Sequence, residues 1–181
     1  MNRGRVSAAS QEKIDHHFAL LSFLINSLHI QPQNIINMNE TGWSKQQQFR
    51  RKRAHPIGTK HPFERQSFST EHITTVHAIT ATGQTLKTLI IYKNNIPRNL
   101  TLNDTTEDFV LKHSESGFIN CEIFKEWIQD ILIPWTQGRG RSGPFLLTMD
   151  NAAPHISYEA FKLCEDKYIE IFPLLPNSSA W

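Results

Sequence analysis

Two apolar stretches end in residues whose types suit the binding of a divalent cation. Phe145-Leu146-Leu147-Thr148-Met149 runs straight into Asp150-Asn151-Ala152-Ala153-Pro154-His155, and Asn34-Ile35-Ile36-Asn37-Met38 runs into Asn39-Glu40-Thr41-Gly42. A short continuous apolar run is the pattern of a strand buried on both faces, so the charge of Asp150 emerges where that strand reaches the surface. In α/β sheets the carboxyl ends of neighbouring strands converge on one crevice, and a carboxylate there is placed to hold a metal. The plain alternative for Asp150 is an Asp that opens a turn or caps the next helix.

The elements that must position these runs are legible from periodicity. Ile14, Phe18, Leu21, Ile25 and Leu28 recur at helical spacing, which predicts an amphipathic helix over 11–28 that buries this stripe, with Ser10 as its cap and Pro32 beyond its end. His16 and His17 beside it read as surface histidines. A short strand over 34–39 follows, ended by Thr41-Gly42. Runs over 73–80 and 86–92, separated by Thr82-Gly83-Gln84, read as a hairpin. After a polar, acidic connection, 121–133 reads as a helix capped by Asn120, stopped by Pro134 and burying Phe124 and Trp127 in the core. Strand 145–149, helix 156–166 and strand 169–172 complete the order. A hairpin followed by strand–helix units predicts an α/β, ribonuclease-H-like mixed five-stranded sheet with flanking helices. No phosphate-binding glycine loop is present. Residues 1–33 read as a linker and helix leading into a domain over 34–181.

Composition narrows the function classes. The chain has 181 residues, 39% of them hydrophobic, with 11 Phe and 4 Trp, which is too apolar for a disordered chain. It has no apolar run long enough to span a membrane and no secretory signal, so an intracellular protein without a membrane partner is expected. Cys121 and Cys164 form no disulfide framework and no zinc motif, and both read as ordinary thiols. The net charge of +2 hides an uneven distribution: 45–65 carries +6, leaving −4 elsewhere. Its centre, Arg50-Arg51-Lys52-Arg53, suits a solvated loop, a nuclear import signal or contact with nucleic-acid phosphates.

The ordered motifs resemble the catalytic domain of DDE transposases of the mariner/pogo superfamily, in particular the pogo-like branch with its jerky and centromere-protein-B-like relatives. The family's N-M-D-E-T-G segment corresponds to Asn37-Met38-Asn39-Glu40-Thr41-Gly42. Its hairpin corresponds to Glu71-His72-Ile73-Thr74, Ala81-Thr82-Gly83 and Leu89-Ile90-Ile91. Ser116-Gly117-Phe118-Ile119 with Trp127 matches a later element. Leu146, Leu147, Asp150, Asn151 and His155 match the L-L-x-x-D-N-x-x-x-H signature, and Leu175-Pro176-Asn177-Ser178-Ser179 matches a closing turn. The resemblance implies a DNA-binding, phosphodiester-cutting fold with magnesium ions held by three carboxylates, a nuclear protein, and a homodimer.

Departures from the pattern set the functional expectations. The first acidic position is Asn39, whose amide offers an oxygen without the charge, so the resemblance gives Asp150 and, weakly, Asn39 as the catalytic and metal positions. Glu40 is acidic, but adjacent strand residues face opposite sides, so it substitutes only if the strand slips by one residue. The third acidic residue is expected beyond the closing turn, together with a last helix that is missing from the chain, which thus reads as C-terminally truncated. His155 suits either a place beside the metal crevice or a structural hydrogen bond. The leading expectation is a transposase-derived DNA-binding domain with lost or impaired metal-dependent endonuclease and strand-transfer activity, with Arg50, Arg51, Lys52 and Arg53 as candidate DNA contacts. The alternatives are an active endonuclease whose missing carboxylates come from Glu40, a partner or a continuation past Trp181, and a protein-interaction module on the same fold.

Overall fold

A computed structural model describes residues 10–44, 72–97, 108–138 and 140–175. The basic run Arg50, Arg51, Lys52, Arg53 and the turn after Leu175 lie outside these described residues. Six strands form one mixed sheet in the order β4-β3-β2-β1-β5-β6. They are β1 (Ile35–Ser44), β2 (His72–Thr80), β3 (Thr88–Lys93), β4 (Phe109–Ser114), β5 (Phe145–Met149) and β6 (Ile169–Pro173). β1, β2 and β3 are antiparallel neighbours, whereas β4 joins β3, β5 joins β1 and β6 joins β5 in parallel. The ribonuclease-H-like mixed sheet is as expected, with six strands rather than five. The added strand, β4, falls in the segment read as a polar connection. It lies at the sheet edge, where only its backbone on one side is paired, and its exposed Phe109 and His113 break the apolar alternation.

Helices cover one face of the sheet. α2 (Cys121–Trp127) passes through a π-helical turn (Ile128–Leu132) into α3 (Ile133–Thr136). Asn120 Oδ1 accepts the Ile123 N–H at 2.8 Å, the cap expected from sequence. The helix does not stop at Pro134. The π turn shifts the ladder, with the Ile133 N–H reaching the Ile128 carbonyl, so the donor that proline lacks falls at the switch in hydrogen-bond register. Ile36, Met38, Val76, Ala78, Leu89, Ile91, Leu147 and Met149 pack against Ile123, Phe124, Trp127, Ile128, Ile131 and Leu132 in one buried cluster. α4 (Tyr158–Glu165), capped by Ser157, adds Ala160 and Cys164 to it. Lys112 on β4 pairs with Glu126 at 3.0 Å and Asp130 at 3.2 Å, and Lys125 pairs with Glu159 at 3.0 Å, tying β4 and α4 to the central helix.

α1 (Gln11–Ser27) forms with Ser10 as its cap, but its apolar stripe is only partly buried: Ile14, Leu21 and Ile25 are half-buried, whereas Phe18 and Leu28 are exposed. Phe18 is 58% and Phe23 71% exposed, and the helix has no buried residue. His17 packs against Phe172 of β6 at 4.7 Å, so this histidine is half-buried rather than freely exposed. No helix among the described residues is long and apolar enough to cross a membrane.

The two thiols differ in a testable way. Cys121 is exposed, whereas Cys164 is buried and its pKa is pushed up to about 12 by desolvation. Only the thiolate reacts with disulfide reagents. At pH 8 the native protein is expected to release one equivalent of thionitrobenzoate from Ellman's reagent quickly and the second only on unfolding. Two fast equivalents would contradict the burial of Cys164.

Candidate metal centre

The crevice arises from a split in the sheet. β1 pairs with β5 only over Ile35–Asn37, opposite Leu146–Thr148, while its pairing with β2 continues from Ile36 to Ser44. β1 thus runs past the end of β5, and Thr41-Gly42, read as a strand end, lies inside it. β2 supplies the partner that carries the strand through these residues: Thr41 lies opposite Thr75 and Gly42 opposite Thr74. Asp150 follows β5 directly, its side chain 55% exposed at the split. Carrying the β1–β5 register two residues past Asn37↔Thr148 sets Asn39 level with Asp150. Asn39 is exposed and lies opposite His77 in the β1–β2 ladder.

Glu40 reaches Asp150 from the other side of the strand. Ile36 and Met38 on that side are buried, and Glu40 follows them in the same alternation with its side chain 16% exposed. No strand slip is involved, since the β1–β2 register is continuous through this region. After Asp150 the chain turns back in a 3-10 segment (Ala153–His155) and drops His155 under the crevice, 1% exposed. His155 Nε2 is 2.6 Å from Glu40 Oε1, and Nδ1 is 2.8 Å from Asp150 Oδ1 and 3.3 Å from the Asp150 carbonyl. The Ala152 N–H donates to the same Asp150 Oδ1 at 3.1 Å. The Phe124 ring packs on the imidazole at 4.9 Å between centroids. Glu40, Asp150 and His155 each bring one ligand-type atom within 4.8 Å of the others.

Burial disfavours a charge on His155, but the hydrogen bond and charge of Glu40, helped by Asp150, outweigh it and hold its pKa above the ordinary histidine value. Both ring nitrogens face carboxylate oxygens, so the ring has no lone pair free for a metal. Among the described residues Asp150 Oδ2 and Glu40 Oε2 accept no hydrogen bond, and two carboxylate oxygens suit a hard divalent cation. The donor set fits one such ion. A pair of ions about 4 Å apart calls for further oxygen ligands, and the described residues bring no third carboxylate into the group. Sequence reasoning marked Asp150, left His155 between two roles, and gave Glu40 a place only through a slip. What was illegible was the 3-10 return that carries His155 beneath both strands.

A mixed sheet with its long antiparallel strands on one side, parallel strands on the other and carboxylates at the split defines a ribonuclease-H-like domain. The family model described as DDE superfamily endonuclease matches residues 70–180, more than half of the chain, including Asp150 and His155. The chain belongs to this family, whose chemistry uses divalent metal ions. Among solved structures, the Mos1 transposase paired-end complex with left transposon end shares the fold at a TM-score of 0.52 and 12% identity, covering 91% of this chain and 41% of that one. The Mos1 Strand Transfer Complex matches at 0.53 and 12%, covering 98% and 44%. The Mos1 mariner paired end complex with Mn matches at 0.52 and 14%, covering 92% and 42%. The chain spans less than half the length of these relatives. No curated protein matches it.

Proposed function

We propose that this chain is a transposase-derived domain of the pogo-like branch that binds DNA, acts in the nucleus, and has weakened or lost metal-dependent phosphodiester cleavage. The observation that carries the reading is the make-up of the crevice: among the described residues Asp150 has one carboxylate neighbour, Glu40, and a neutral amide, Asn39, lies level with it where the family has Asp. A divalent ion, Mg2+ by family resemblance, would supply activation of the attacking oxygen and stabilisation of the leaving one. Asp150 would hold that ion, and the uncharged Asn39 would hold it poorly. DNA as partner is supported by the structural neighbour solved as a paired-end complex with a left transposon end, and by the basic run at Arg50, Arg51, Lys52 and Arg53. The association of two copies belongs to the same proposal.

The test is duplex binding measured by fluorescence anisotropy across a salt series. Each neutralised phosphate contributes about −0.9 to the slope of log K against log salt. Replacing Arg50, Arg51, Lys52 and Arg53 by Ala is expected to flatten that slope by roughly 3 to 4. DNA affinity that is absent, or indifferent to both salt and these residues, would favour a protein-interaction module instead. A second reading, an active endonuclease, is favoured by one feature, the carboxylate of Glu40 beside Asp150. Metal-dependent nicking by the wild-type chain that disappears in Asp150→Ala would establish it.

A further inference from the structure

We propose that His155 is a positioning residue that turns Glu40 and Asp150 toward each other, so that their outer oxygens form the seat of one divalent cation. This rests on the reading above that the crevice is the metal site of the domain. The two carboxylates leave β1 and β5 on strands that have already stopped pairing, so no main-chain ladder fixes their separation at that point. The imidazole supplies the missing link, with Glu40 Oε1 on one nitrogen and Asp150 Oδ1 on the other.

The ring is itself held on every side. It is buried, Phe124 from α2 packs against it, and the Asp150 carbonyl lies 3.3 Å from Nδ1. The inner oxygen of each carboxylate is engaged, and Asp150 Oδ1 takes the Ala152 N–H as well. That leaves Oδ2 and Oε2 as the carboxylate oxygens that accept no hydrogen bond among the described residues. Groups that hydrogen-bond to ligating side chains set ligand orientation, and their loss typically costs about 10- to 100-fold in metal affinity. His155 thereby brings a carboxylate from the core side of β1 to a position beside Asp150, where the amide of Asn39 adds no charge.

The experiment is Mn2+ binding to the full 181-residue chain, read by loss of the free-ion EPR signal, with folding checked by circular dichroism. His155→Leu fills the same space without hydrogen bonds and is expected to weaken Mn2+ binding by about tenfold or more, whereas His155→Gln, with a donor for one carboxylate, should fall between it and wild type. In a Glu40→Gln background the His155→Leu loss should shrink, because the carboxylate being oriented is gone. A purely structural histidine would cost the same in both backgrounds. If His155→Leu does not fold, His155→Gln decides alone, and wild-type affinity in it overturns the proposal. Unchanged affinity in folded His155→Leu, an equal loss in both backgrounds, or a wild type that takes up no Mn2+ at millimolar concentration each overturns it too. The last result leaves DNA binding, read separately by the salt series, untouched.

Discussion

Asn39→Asp is expected to tighten Mn2+ binding by about 10- to 100-fold. The register of β1 against β5 sets position 39 level with Asp150, and the new carboxylate adds a full negative charge there. A carboxylate about 4 Å from a divalent ion interacts by about 8 kcal/mol at an effective dielectric of about 20. Both positions are exposed, so solvent screens a good part of this, and about 1.4 to 2.7 kcal/mol remains, which is the stated factor. Isothermal titration with Mn2+ measures it directly. The same variant should gain metal-dependent nicking of supercoiled plasmid if cleavage is limited by ion occupancy. An affinity equal to wild type would place the ion away from position 39, beside Glu40 and Asp150.

Where the sequence misled, it did so for reasons of pairing and return geometry. Thr41 and Gly42 carry turn propensity, yet β2 pairs with them and carries β1 to Ser44. Glu40 was discounted because adjacent strand residues face opposite sides, yet it lies inside a long strand beside a gap, where His155 bridges it to Asp150. The apolar spacing of α1 was real, but periodicity states only that a face exists, and that face is only half-buried, with Phe18 and Leu28 left exposed. Pro134 looked like a stop because a single π turn leaves no composition signal. By contrast, β5, its flanking helices and Asp150 at its end were legible, since five consecutive buried positions leave few alternatives. His155 was visible as a residue of interest, but its bridging role needs two strands and a 3-10 return at once, and no local pattern encodes that.

Phe124→Ala is expected to destabilise the fold by about 3 to 5 kcal/mol, a large share of the ~5 to 15 kcal/mol that holds a domain of this size together. Phe124 is fully buried, stacks with Trp127 at 6.1 Å, and closes over His155 at 4.9 Å. Truncation opens a cavity among the sheet, the central helix and the imidazole, and the cost is the lost burial plus whatever cavity is left after relaxation. Phe23→Ala, which removes the same atoms from the exposed face of α1, should change stability by less than about 0.5 kcal/mol. Urea unfolding followed by tryptophan fluorescence compares the two, and similar losses would contradict the burial difference. The position of Phe124 also links core to site. His155 would lose the ring that holds it under Glu40 and Asp150, so at urea-free stability sufficient to keep the fold, Phe124→Ala should weaken Mn2+ uptake as well, whereas Phe23→Ala should leave it unchanged. Stability and ion binding falling together in one variant and in neither for the other would mark Phe124 as the point where the packing of α2 sets the geometry of the crevice.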